Sequence, residues 1–272
     1  MPDMPPADDD PVALRALAED VARRAGDHAL AGRRSLGIGQ AIAHDTKSTP
    51  PDPVTVYDRS TEALIVQALR AGRPDDSIVG EEGATHDGTS GLAWHVDPID
   101  GTVNFVYDLP TWCTSVAVVD DAGSLAGAVY LPVTDELFSA SRGGGASCNG
   151  VPIRCSDVDD LSEALIGTGF SYAPERRTLQ GRRLAALIAQ VRDVRRLGSA
   201  ASDLCLVACG RLDAYFEEHL NSWDLAAGVL IAAEAGATTS DLGAGTAGPA
   251  ATVASAPGVH RALLAAIAEI DR

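Results

Sequence analysis

The segment Asp97-Pro98-Ile99-Asp100-Gly101-Thr102 constrains this chain more tightly than any other. It follows the apolar run Leu92 to Val96, which reads as a short strand ending at Asp97, so its carboxylates leave a sheet edge and face a crevice. Pro98 fixes a tight turn that can bring Asp97 and Asp100 to one point while exposing the Ile99 carbonyl. A second acidic segment, Gly80-Glu81-Glu82-Gly83, follows another short strand, Ser77-Ile78-Val79. Carboxylates gathered at strand ends repel one another unless protons or cations intervene, and an all-oxygen donor set suits hard ions such as magnesium or manganese better than zinc. Asp100-Gly101-Thr102 then opens a short helix whose free N–H groups can receive an anion, with Gly101 allowing a close approach.

The remaining pattern alternates helices and strands. Leu14, Leu17, Val21 and Ala25 give helical spacing over Val12 to Leu30, followed by a stretch from Gly32 to Gly39 that reads as a mobile loop. Asp58 to Leu69 is a second predicted helix. Thr114–Val119, Leu125–Tyr130 and Glu136–Ala140 read as consecutive antiparallel strands, and Arg142-Gly143-Gly144-Gly145 as the end of that meander. Beyond it come a strand at Ala164–Gly167, a helix over Arg176–Val191, a helix over Ser202–Ala208, and a strand at Ala214–Glu217. An apolar helix over Trp223–Ala235 closed by Gly236 and a final helix over Val259–Ile270 complete the chain. The expected organisation is a start without structure at 1–11, an N-terminal metal-binding lobe at 12–150 and a C-terminal substrate lobe at 151–272, packed as one compact α/β (α+β) unit.

The charge balance argues against two classes of main partner. With 38 acidic against 21 basic residues the formal charge is -17, which repels a nucleic-acid backbone and an anionic bilayer alike. No apolar run approaches the roughly 20 residues of a membrane span. The Pro- and Asp-rich start lacks the basic and apolar regions of a signal peptide. Five cysteines, an odd number without paired metal spacing, fit reduced thiols in a cytoplasmic protein.

Five ordered motifs resemble the inositol monophosphatase family. They are Pro53-Val54-Thr55-Val56-Tyr57-Asp58, Gly80-Glu81-Glu82, Trp94-His95-Val96 running into Asp97 to Thr102, Arg196-Leu197-Gly198-Ser199-Ala200-Ala201 with Asp213-Ala214-Tyr215-Phe216-Glu217, and Trp223-Asp224-Leu225-Ala226-Ala227-Gly228. The resemblance runs from about Lys47 to the last helix. It implies a layered αβαβα sandwich of the sugar-phosphatase type, with mixed and antiparallel sheets between helices. It also implies two to three Mg2+ ions: one on Glu81, Asp97 and the Ile99 carbonyl, one on Asp97, Asp100 and Asp224, and a weaker third near Glu81. Thr102 paired with Asp58, together with Glu81, would activate the attacking water. Asp100, Gly101, Thr102 and Asp224 would hold the phosphate, and Gly198, Ser199, Ala200 and Glu217 would contact the inositol. Lys47 and Glu82 are further candidates, Lys47 on a loop near the third ion. Hydrolysis of inositol 1-phosphate, lithium sensitivity and a homodimer follow from the same likeness.

Three other readings compete. Cys148 to Arg154 and Cys205 to Arg211 have the spacing of thiolate phosphatases, but Pro152 interrupts the first and an apolar helix contains the second. Within the family's fold the substrate could instead be histidinol phosphate or another small phosphate ester; for a bisphosphate, Arg195-Arg196 is the one nearby basic pair, and it reads more simply as solvated. A noncatalytic interaction protein that kept the fold is the remaining alternative.

Overall fold

The computed structural model describes residues 9–40, 42–46, 53–241 and 250–270. Helix α1 (Pro11–Ser35) begins where the Asp10 carboxylate accepts the Val12 N–H at 3.2 Å and Pro11 takes the first turn. A ribbon of β1 (His44–Thr46) and β2 (Pro53–Thr55) leads into α2 (Val56–Gly72). There Thr55 and Asp58 cap each other: Thr55 Oγ1 accepts the Tyr57 and Asp58 N–H groups, and Asp58 Oδ2 accepts the Thr55 N–H at 2.7 Å.

The first sheet contains β3 (Ser77–Gly80), β4 (Thr85–His86), β5 (Ala93–Asp100), β6 (Cys113–Asp120), β7 (Gly123–Leu131), β8 (Glu136–Ser141), β9 (Ala146–Cys148) and β10 (Val151–Pro152), with the short α3 (Thr102–Val106) between β5 and β6. Its order is β10-β9-β8-β7-β6-β5-β3-β4, antiparallel except where β3 runs parallel to β5. The second sheet is built from β11 (Leu165–Thr168), β12 (Asp193–Arg195), β13 (Ala214–Leu220), β14 (Thr238–Asp241) and β15 (Ala250–Ser255) in the order β12-β11-β13-β15-β14. Between these strands run α4 (Pro174–Leu187), α5 (Ala200–Ala208) and α6 (Ser222–Glu234), and α7 (His260–Ile270) follows β15.

Burial arranges these elements in five layers. Leu14 and Val21 of α1 with Ile65 and Leu69 of α2 cover one face of the first sheet, against Trp94, Val96, Val116 and Val118. The alternate residues Cys113, Ala117 and Val129 face the other way, onto Leu204 and Val207 of α5 and Ala227 and Ile231 of α6. Tyr215 and Ala254 of the second sheet close that middle layer from beyond. Leu187 of α4 and Leu263 and Ile267 of α7 cover the outer face of the second sheet at Ile166, Phe216 and Val253. The expected αβαβα sandwich with mixed sheets is the observed one.

Several local expectations need correction. The stretch from Gly32 is not a loop from its start: α1 continues to Ser35, Gly32 abuts the Tyr57 ring, and buried Arg33 donates to Phe105 O at 3.1 Å. At the chain start, Asp10 caps α1 and Asp9 pairs with Arg73 at 2.6 Å. The meander does not end at Gly145 but adds β9 and β10. Strands β12, β14 and β15 went unpredicted. In β15, Ala250-Ala251-Thr252-Val253-Ala254-Ser255 has little intrinsic strand preference, and pairing with β13 and β14 on both sides supplies what composition lacks.

Helix α6 can approach the first sheet closely because Gly127 has no side chain: a Cβ there would stand 3.1 Å from Ala227 Cα. Gly127→Val should overpack this contact by about 1–3 kcal/mol and lower the thermal midpoint by roughly 2–10 °C. A midpoint equal to that of the parent would contradict the packing described.

Candidate active site

The acidic turn owes its geometry to a bulge. Asp97 pairs with Ser115 and Asp100 with Cys113, so Pro98 and Ile99 together oppose the single residue Thr114. Residues three apart in an unbroken strand face opposite sides; one extra residue returns Asp97 and Asp100 to the same side. Pro98 suits the position because it has no N–H to lose from the ladder, and its carbonyl accepts Thr114 Oγ1 at 2.8 Å. Asp97 Oδ1 accepts the Ile99 N–H at 2.9 Å. The Ile99 side chain is wholly buried with Ala29, Phe105 and Trp112, so what Ile99 presents to the cleft is its backbone. Gly101 follows at φ +96°, a left-handed conformation, close to the Gly198 carbonyl.

Two further carboxylates arrive from elsewhere. Asp224 stands in the first turn of α6, where its Oδ2 accepts the Asn221 N–H at 2.6 Å. The start of α6 is fastened to the first sheet by Ser115 Oγ on Trp223 O at 3.2 Å, Ser124 Oγ on Ala226 O at 2.8 Å, and Ser222 Oγ against His95 Nδ1 at 2.7 Å. As a result, oxygens of Asp97, Asp100 and Asp224 all lie within 4.8 Å of one another. Glu81 follows β3, its N–H on Val96 O at 3.2 Å, and its carboxyl group is in hydrogen-bonding contact with Asp97. Sequence reasoning missed the residue that sets this loop. Buried Glu62 of α2 accepts the Glu82 N–H at 2.8 Å and the Ala84 N–H at 3.0 Å. Its place one helical turn after Asp58, on the same face, was the available signal.

Burial and crowding govern the charges. Burial pushes Asp97 well above the usual carboxylate range, and repulsion from Glu81, Asp100 and Asp224 pushes it further. Asp224 is raised the same way, by burial and then by Asp100 and Glu81. Burial carries Asp100 up to about 6 against hydrogen bonds from Ser199 and from the backbone of α5. Those bonds are specific: Ser199 Oγ and Ala201 N each lie 2.7 Å from Asp100 Oδ2. The start of α5 therefore holds one oxygen of a carboxylate that belongs to the other sheet.

The cluster forms one side of a cleft of about 430 Å³. Glu81, Asp97, Ile99, Asp100, Gly101, Thr102 and Asp224 line it, together with Gly198, Ala200 and Glu217. Ser199 is turned away; its buried hydroxyl serves Asp100 and the Ser202 N–H. Asp58 is fully buried behind Thr102, whose Oγ1 lies 3.3 Å from Asp58 Oδ1 and 3.1 Å from Ile99 O. Glu82 does not line the cleft, and Lys47 lies outside the described residues. Glu217 is raised to about 7 by burial, opposed by Tyr215, whose hydroxyl donates to Oε2 at 2.5 Å, and by Arg196. Arg196 is exposed, as expected of a solvated pair, but it also lines the cleft, while Arg195 pairs with Asp193. Asp203, unassigned from sequence, is 1% exposed with Oδ1 lacking a hydrogen bond, and burial beside Glu217 raises it.

The thiolate alternative has no support in this geometry. Burial raises both Cys148 and Cys205, the opposite of an activated thiolate, and Arg211 is bound to Glu136. Among the described residues no helix is long and apolar enough to cross a membrane.

A family model described as the inositol monophosphatase family matches residues 10–271. The chain belongs to that family. It is a phosphatase, and divalent-metal chemistry is general among its members. An inositol-1-monophosphatase of Mycobacterium leprae is 48% identical over 96% of this chain and 95% of its own. The solved structure of Mycobacterium tuberculosis SuhB, 42% identical, superposes with a TM-score of 0.84 over 97% of this chain and 99% of that one. A Vibrio cholerae relative named Nus factor SuhB is 39% identical over 86% of this chain and 85% of its own length.

The electrostatics give a test that needs no substrate. Asp97, Asp100, Asp224 and Glu217 all titrate higher folded than free. The folded protein therefore binds more protons than the unfolded chain above about pH 4, and stability falls as pH rises through 6 to 7. His95 and His260, lowered by burial, act in the opposite sense below about pH 6.5. In chelator the thermal midpoint should fall between pH 6.5 and 8, and added magnesium should raise it more at pH 8 than at pH 5. A magnesium effect independent of pH would contradict the charge cluster.

Proposed function

We propose that this phosphatase is a magnesium-dependent phosphomonoesterase that converts inositol 1-phosphate and water into inositol and phosphate. The observation that carries the reading is the approach of the Asp97, Asp100 and Asp224 oxygens to within 4.8 Å, in a cleft that the Gly101–Thr102 segment and Glu217 also line. An all-oxygen set of crowded, buried carboxylates fits a hard cation and fits little else. Asp97, Asp100 and Asp224 would hold one magnesium ion, and Glu81, Asp97 and the Ile99 carbonyl another, with a third near Glu81. When bound, the ions neutralise charge on the phosphate and on the departing ester oxygen.

The chain's own groups do the rest. The Thr102 hydroxyl can donate to Asp58 Oδ1 at 3.3 Å while its oxygen accepts from the attacking water, which orients the water and gives its proton a route to a buried carboxylate. The new bond forms from the water oxygen to phosphorus, and the bond from phosphorus to the ester oxygen breaks. N–H groups from Gly101 to Asn104 precede the first helical bond, Phe105 N to Gly101 O at 3.1 Å, and are available to phosphate oxygens. With only five residues, α3 acts through these individual donors rather than through a long dipole. Glu217, raised to about 7, can accept or donate a hydrogen bond to a ring hydroxyl at neutral pH, while Gly198 and Ala200 supply a backbone wall.

The name of the Mycobacterium leprae relative supports inositol 1-phosphate as the first ester to try; histidinol phosphate is the next. A cytoplasmic homodimer and lithium inhibition accompany the family reading. The relatives named Nus factor SuhB support a second reading, in which the fold also docks a partner protein. Purified protein assayed for phosphate release against inositol 1-phosphate and histidinol phosphate, with and without magnesium, tests the main reading. Asp97→Asn should lower turnover at least about 10²-fold, the scale of one lost electrostatic stabiliser. Near-normal hydrolysis in that variant, or no release from either ester by the parent, would contradict it.

A further inference from the structure

His219 combines two costs in the wall of the cleft. Strand β13 pairs Glu218 with Ala251 and Leu220 with Ala250, so His219 is an extra, unpaired residue in a bulge. Its backbone takes φ +66°, a left-handed conformation that glycine adopts freely and a side chain adopts at a cost. Its ring also lacks a partner. Nδ1 is closed off from solvent without a hydrogen bond, and neither nitrogen is hydrogen-bonded among the described residues. His28, His86, His95 and His260 each have a partner. A histidine kept to hold the bulge would show such a bond, and a bulge needing only its backbone would be better served by glycine. The side chain itself is what the position retains, and it lines the cleft.

We propose that His219 is a specificity-determining residue whose imidazole hydrogen-bonds a hydroxyl of the polyol half of the phosphate ester. The inference rests on the phosphatase reading and adds a contact to it. The phosphate belongs to the Asp100–Thr102 side of the cleft, whereas His219 shares β13 with Glu217 and Glu218. Of the two carboxyl groups beside it, Glu218 is paired with Arg183 at 2.9 Å, and Glu217, raised to about 7, is the one a bound group would share with the imidazole. A hydroxyl, which both donates and accepts, satisfies a carboxylate and an imidazole nitrogen together.

The test compares the parent protein with His219→Gly and His219→Gln on inositol 1-phosphate and on phenyl phosphate, which has no hydroxyl groups to recognise. Glycine relieves the strain, so the thermal midpoint of His219→Gly should rise. Its kcat/KM for inositol 1-phosphate should fall roughly 3- to 10-fold, the worth of one hydrogen bond, through KM, with phenyl phosphate hydrolysis unchanged. Glutamine places an amide near the position of Nε2, the ring nitrogen not closed off from solvent, and should recover most of the loss. Unchanged kcat/KM for inositol 1-phosphate in His219→Gly, or equal loss on both esters, would overturn the proposal. If the parent releases phosphate from neither ester, the phosphatase reading fails instead. The contact is then decided by titrating inositol alone into ring-¹⁵N-labelled protein: a shifted His219 signal supports it and an unmoved one overturns it.

Discussion

Asp97, Asp100 and Asp224 repel one another, and the structure holds them together from three directions. The bulge at Pro98-Ile99 turns Asp97 and Asp100 to one side. The start of α5 grips Asp100 through Ser199 and Ala201. The close seat of α6 on Gly127 delivers Asp224. The devices belong to the first sheet and to two separate helices, so the site forms only when the first sheet and both middle helices are assembled. Without a cation, burial and mutual repulsion favour the protonated form of these carboxyl groups; a bound cation would invert that preference and favour ionised oxygens.

The same arrangement divides the cleft by chemistry. One side offers carboxylates and free backbone donors, suited to a doubly charged phosphate accompanied by cations. The other offers Glu217, Arg196 and His219 on and beside the second sheet, suited to neutral hydroxyl groups of defined placement. On the proposed function, hydrolytic chemistry would be fixed by the acidic turn, and the choice among small phosphate esters by residues that can change without disturbing it.

That division also explains what the sequence made legible. The acidic turn could be read because Pro98 between two aspartates after an apolar strand has few other uses, and the helices flanking it because their apolar spacing is regular. Asp224 was reachable only through likeness to a family motif, since nothing local distinguishes it from a capping residue, which it also is. Ser199 and Glu62 take their meaning from partners many residues away, so local pattern did not disclose the hold of Ser199 on Asp100 and passed over Glu62; Arg196 is exposed as read, and its place at the cleft could not be seen from its neighbour Arg195. Strand β15 was missed for a related reason: alanine-rich sequence becomes strand there because strands lie on both sides.

The central claim is that the three aspartates make a cation site. An anomalous-scattering map from a crystal grown with manganese, collected at the manganese edge, tests it most directly. The account predicts a peak bounded by oxygens of Asp97, Asp100 and Asp224, with a second shared by Asp97 and Glu81. A map with no peak at the three aspartates, from crystals in which the cleft is open to solvent, would contradict it.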